Sequence, residues 1–113
     1  MSDFEQLTRE GFERGLLGCV LLDSTIVHEV FRGLGTRAFQ DERTRMVAKA
    51  VCSMGQEKEK FSWPDIWNKM KTDALMFSKF RNLAYYLATL TDYVLNIDNL
   101  TDRDWKLYAD KLR

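Results

Sequence analysis

The chain has 113 residues, 45% of them hydrophobic, with one proline and six glycines; this fits one globular domain and excludes a disordered chain. Seventeen basic residues balance seventeen acidic ones, so the basic excess of a protein that lives on phosphate contacts is missing, and nucleic acid is expected only as a weak or indirect partner. Two cysteines and a single histidine fall short of a metal site.

The scarcity of breakers favours helices throughout. A first helix is expected from Asp3 or Thr8 to Leu22, because Phe12, Leu16, Leu17, Val20 and Leu21 recur at three- and four-residue spacing. Gly15 and Gly18 lie inside it, where glycine is costly, and imply close approach of a neighbouring helix. Leu16 to Leu22 is the longest apolar run; it is far too short to span a bilayer, and the polar, acidic N-terminus is not a secretory signal. A cytoplasmic protein without membrane contact is expected, with Cys19 and Cys52 as reduced core thiols.

Asp23 or Ser24 caps a second helix, about Ser24 to Arg32, with Ile26, Val27, Val30, Phe31 and Leu34 on its apolar side. Gly33 and Gly35 at its end suit a left-handed C-terminal cap, and Phe39 anchors the loop that follows. Asp41 opens a third helix to about Met54, with Met46, Val47, Ala50, Val51 and Met54 inward and Gly55 as its stop. The fourth helix has the clearest start: Ser62 as N-cap, Pro64 in the first turn, Asp65 as the partner in a capping box, and Phe61 with Ile66 as a hydrophobic staple. Ile66, Trp67 and Met70 face inward. A fifth helix is expected over Ser78 to Tyr93, with Phe80, Leu83, Ala84, Leu87, Leu90 and Val94 inward, then a turn from Asn96 to Leu100. Thr101 caps the last helix, whose stripe is Trp105, Tyr108, Ala109 and Leu112. The fold class is therefore all-α, a compact bundle of about six short helices in a single domain.

Several chemistries lack their residues. No glycine-rich loop ending in Lys and Ser or Thr is present, and Gly33-Leu34-Gly35 is too short to cradle a nucleotide. His28 is the only histidine and reads as a surface or helix-end residue, not a general base. The acidic pairs Asp41-Glu42 and Asp102-Asp104 sit at helix starts, where the helix dipole accounts for them. An enzyme is not expected, nor a cofactor. The aromatics say more: Trp63, Trp67, Tyr85, Tyr86, Tyr93, Trp105 and Tyr108 are many rings for so small a core, so some should be partly exposed. Trp and Tyr are favoured as protein–protein anchors. The stripe of the last helix is still running at Lys111-Leu112-Arg113, which marks Trp105, Tyr108 and Leu112, with Tyr93, as interface candidates awaiting a packing partner outside the chain.

Glu13-Arg14-Gly15-Leu16-Leu17-Gly18-Cys19-Val20-Leu21-Leu22-Asp23 resembles the opening helix of DnaB-family replicative helicases, in which Glu, small or apolar residues and Leu-Gly precede a Leu-rich stretch closed by Asp. Glu29-Val30, Ala38-Phe39-Gln40 with Arg45 and Val47, Ser62 with Ile66 and Met70, Tyr86-Leu87 with Leu90, and Trp105 to Arg113 resemble later signatures of that family's N-terminal domain, in the family's order. The resemblance spans about Glu13 to Arg113, with departures at Ala38, Thr44, Ala48 and Arg81-Asn82 that mark a divergent member. It implies a helical head, about residues 10–96, and the start of a truncated helical hairpin, about 101–113. It further implies a non-catalytic collar that self-associates as a dimer or within a hexamer. The collar would dock the C-terminal domain of primase or a helicase loader, while the motor lies in a separate ATPase domain. A stand-alone helical adaptor that binds a replicative helicase, as loader, inhibitor or collar mimic, is the alternative.

Overall fold

The structure is a computed structural model that describes residues 7–95 and 102–113. Its first helix, α1 (Arg9–Leu22), begins at the later of the two expected starts: Thr8 is the N-cap, and its Oγ1 accepts from the Gly11 N–H at 3.2 Å. Asp3 lies outside the described residues. From Leu16 to Leu21 every side chain is buried, so α1 is enclosed by the other helices rather than lying on their surface. The two interior glycines explain how. The ring of Tyr108 lies over Gly15, and the Leu90 carbonyl oxygen with the Val94 side chain lies against Gly18; a Cβ at either position would collide with them. The absent side chains let two later helices reach the α1 backbone.

A single 3-10 turn (Ser24–Ile26) leads into α2 (Val27–Arg32). Asp23 is the residue that caps, accepting from the Thr25 N–H at 3.2 Å. The buried Ser24 hydroxyl instead accepts from the Phe61 N–H at 3.0 Å, fastening the turn to the loop before α4. The expected left-handed glycine cap is not formed: Gly33 has φ −104° and ψ −1°, and Gly35 is extended at φ −73° and ψ 164°. Phe39 anchors its loop as expected, fully buried and 6.0 Å from Phe31 ring to ring.

Asp41 caps α3 (Glu42–Glu57), its carboxylate accepting from the Arg43 and Thr44 N–H groups at 3.1 Å each. Gly55 does not stop this helix. It is a packing position, buried against Val27 of α2, and the helix runs on to Glu57. α4 (Trp63–Met70) has the capping box read from the sequence, with the Asp65 carboxylate accepting from the Ser62 N–H at 3.0 Å. That bond first, and the Lys58 ammonium second, hold the Asp65 carboxyl below its ordinary pKa. Phe61 and Ile66, the staple residues, are both buried.

The fifth helix expected from Ser78 begins later, at Leu83, and a separate short helix precedes Ser78. A one-turn helix, α5 (Ala74–Phe77), is capped by Asp73, which accepts from the Leu75 and Met76 N–H groups at 3.1 and 3.2 Å. The longer α6 (Leu83–Leu95) then starts afresh, with Asn82 Oδ1 accepting from the Tyr85 N–H at 3.0 Å. Ser78 is thus the end of one helix, not the start of the next, and Asn82 is a cap that apolar spacing does not reveal. After a 3-10 turn (Asp102–Asp104), α7 (Trp105–Leu112) closes the described chain. The turn expected at Asn96 to Leu100 and the cap expected at Thr101 lie outside the described residues.

The result is all-helical among the described residues, with seven α-helices where the sequence suggests about six. α1 runs through the centre and packs chiefly on α6 and α7, with α3 beyond; α3 in turn meets α2 and α4. Trp105, Tyr108, Ala109 and Leu112 belong to the same core as Leu16, Val20, Leu87 and Leu90.

Candidate functional site

The aromatic and apolar residues singled out on α7 are not on the surface. Trp105 and Leu112 are buried and Tyr108 is wholly enclosed, with its ring over Gly15. Burial pushes the Tyr108 hydroxyl pKa up. Tyr93 is half-buried and holds its hydroxyl beside Gly11, one turn further towards the start of α1. The stripe expected to await a partner outside the chain therefore has one inside it, the glycine face of α1. The side chains of α7 that face outward are Lys106, Leu107, Asp110 and Lys111, with Leu107 44% exposed.

A polar node sits where α1 begins. Glu13 is 1% exposed, an unusual place for a carboxylate, and its Oε1 accepts from the Thr44 hydroxyl at 2.5 Å and from the Asp41 N–H at 3.2 Å. Arg9 approaches its other oxygen at 3.7 Å and donates to the Ala38 and Leu112 carbonyls at 2.8 and 3.2 Å. One carboxylate and one guanidinium thus join α1, the loop before α3, the start of α3 and the last turn of α7. The Glu13 carboxylate and the Arg9 Nη2 are met by the chain's own backbone and side chains, so the node is structural. Glu13 opens the motif read from the sequence, but its burial was not legible there.

Several surface concavities open among the described residues. A groove of about 700 Å³ between α2 and α3 is lined by Val27, His28, Phe31, Arg32, Cys52 and Gln56. His28 is exposed on it, as expected of a helix-end histidine. Burial raises the Cys52 thiol from 9.0 to about 11, which leaves it protonated and unreactive at neutral pH. Neither cysteine is in a disulfide. The second, a cleft of about 620 Å³, opens where α1, α3 and the start of α6 meet, between Arg14, Arg43, Arg81, Tyr85 and Tyr86. Arg14 stands over the Tyr86 ring at 5.2 Å while its Nη2 donates to Glu10 at 2.8 Å. Tyr86 also packs at a tilt against Phe80, with ring centroids 5.0 Å apart, and Tyr85 is 69% exposed. The sequence marks the two tyrosines as rings in search of a place but not the arginines around them, which come from the second turn of α1, the start of α3 and the loop before α6.

Among the described residues no helix is long and apolar enough to cross a membrane, and no group of three or more His, Cys, Asp or Glu is placed to hold a metal ion. No curated protein and no solved structure matches the chain. The family model for the DnaB-like helicase N-terminal domain matches residues 5–108, nearly its whole length. By that match the chain belongs to the family of DnaB-like helicase N-terminal domains, the non-catalytic N-terminal domains of replicative helicases.

Proposed function

We propose that this domain acts by position: it forms part of the collar of a hexameric helicase through self-association, and it docks the C-terminal domain of primase or a helicase loader during DNA replication in the cytoplasm. The observation that carries this reading is the match to the family over residues 5–108. The chemistry present is consistent with it. No phosphate-binding loop lies within the 113 residues. The charges are balanced, and several lysines and arginines are engaged by carboxylates, as in Arg14–Glu10, Lys58–Asp65, Lys69–Glu57 and Lys79–Glu42. A surface so neutralised is poor at tracking a nucleic-acid backbone and suits contacts with other proteins.

α7 falls where the family resemblance puts the start of the hairpin. Because its Trp105, Tyr108 and Leu112 are committed to the core, pairing through this helix falls to the outward Leu107 and its charged neighbours. Sedimentation equilibrium over a wide concentration range tests the collar reading. A concentration-dependent rise in mass is expected. A strict monomer at every concentration, able to bind an intact replicative helicase, would replace it with the adaptor reading.

A further inference from the structure

The cleft between α1, α3 and α6 combines features that the packing of the head does not use. Its rim carries three guanidiniums, from Arg14, Arg43 and Arg81. Arg14 is shared with Glu10 through Nη2, while the side chains of Arg43 and Arg81 make no hydrogen bond or ion pair among the described residues. Glu10 and Asp41 face Tyr86 as well, but Glu10 is taken by Arg14 and Asp41 by the α3 N–H groups. On the wall, Tyr86 is only 8% exposed, and its hydroxyl has no hydrogen-bond partner; the Nε of Arg14, beside it, has none either. Two buried donors without an acceptor border one cleft. Such groups are costly unless something supplies the acceptor. Burial pushes the Tyr86 pKa up to about 12, against a lesser opposing pull from Arg14, so the hydroxyl keeps its proton and remains a donor. At the mouth, Tyr85 offers a largely exposed ring.

Donors without acceptors, guanidiniums without anions and an exposed ring beside them match a carboxylate carried next to an apolar side chain. Arginine forks bind carboxylates in two-point fashion and lose little freedom in doing so. A nucleic-acid strand is the poorer fit: it needs a continuous basic track, whereas Lys79 next to the cleft is already paired with Glu42 at 3.5 Å and the chain carries as many acids as bases.

We propose that this cleft is a docking site for an acidic segment of a partner protein. Its carboxylate is gripped by Arg43, Arg81 and the Tyr86 hydroxyl, and an adjacent apolar side chain packs on Tyr85. The inference rests on the docking-domain reading and gives it a surface and a partner chemistry.

The test uses the whole chain and a short fluorescent peptide in which Asp and Glu alternate with Leu, alongside the same peptide with Asn and Gln in place of the acids. Fluorescence anisotropy should show binding of the acidic peptide only. The double variant Arg43→Gln with Arg81→Gln should weaken it about tenfold or more, and Tyr86→Phe by about threefold. Arg37→Gln, an exposed arginine outside the cleft, should leave it unchanged. All these side chains except Tyr86 are exposed, and Tyr86→Phe removes a single oxygen, so the helical circular dichroism of each variant should match the parent's. No binding of the acidic peptide, equal binding by the Arg43/Arg81 variant, or tighter binding of an oligothymidylate through the same arginines would each overturn the proposal. Sedimentation of the same samples separates the two claims. A chain that self-associates but ignores the peptide refutes the cleft alone; one that binds the peptide through the cleft yet never self-associates supports the cleft and refutes the collar.

Discussion

At the scale of single residues, the head is set by two positions whose chemistry opposes their surroundings. Glu13 is a carboxylate in the core, tolerable because Thr44, the Asp41 N–H and Arg9 all meet it. Thr44→Val keeps the shape and removes the hydroxyl donor; it is expected to destabilise the fold by about 1.5–3 kcal/mol, the range for hydrogen bonds to charged groups. An unchanged urea midpoint would show that Thr44 contributes nothing to the node. Gly18 is the converse case, a missing side chain that the fold needs. Its neighbour is a backbone carbonyl, which cannot swing aside, so Gly18→Leu should cost at least the roughly 1–3 kcal/mol of overpacking. A thermal midpoint equal to the parent's would refute the close approach of α6. The need for a small residue at Gly18 was legible in the sequence, since glycine inside a helix asks for a reason. The burial of Glu13 was not, because helical spacing says which face a residue shares but not that a threonine thirty-one positions on will supply its partner.

Among the elements, legibility followed the strength of the local signal. α4 begins where Ser62, Pro64 and Asp65 place it, because three start signals coincide within one turn. α3 opens at Asp41 as read, and α1 at Thr8, the later of the two starts that the sequence leaves open. The failures lie where local rules meet tertiary packing. Gly55 reads as a stop, yet continued burial against Val27 carries α3 past it. The apolar spacing that begins at Phe80 suggests a helix already there, while the Asn82 cap delays α6 to Leu83. α7 was legible as a helix with an apolar stripe, but not in its orientation: a stripe cannot say whether its partner is another chain or the chain's own first helix. Leu112→Ala should therefore behave as a core truncation and cost about 2–5 kcal/mol, whereas Leu107→Ala at the exposed face should stay within about 0.5 kcal/mol. Paired chemical denaturation curves decide this. If Leu107→Ala proved the more destabilising of the two, α7 would be docked the other way round.

For the molecule as a whole, several protons are held more tightly in the folded chain than in the unfolded one. Burial raises Cys52 from 9.0 to about 11 and Tyr86 from 10.0 to about 12, and Tyr108 moves the same way. The unfolded chain gives these protons up first, so their contribution is complete below about pH 9 and declines as the pH rises towards 12. Unfolding midpoints measured across that interval should fall with pH, and Tyr86→Phe should flatten the upper part of the fall. A flat profile would mean that the phenols are hydrated. The all-helical class and the family were legible from the sequence because they rest on an ordered series of weak patterns along nearly the whole chain. The arginine-lined cleft was not, since it assembles residues from three helices that no local pattern connects.

The central claim, that the domain works by docking a replication partner and not by chemistry, is tested most directly by calorimetric titration of the chain with the cognate primase's C-terminal domain. The account predicts saturable heat with a defined stoichiometry, and a complex that survives Leu107→Ala but weakens when Arg43 and Arg81 are replaced by Gln. Absence of binding to both primase and loader, at concentrations where the chain is folded, would contradict it.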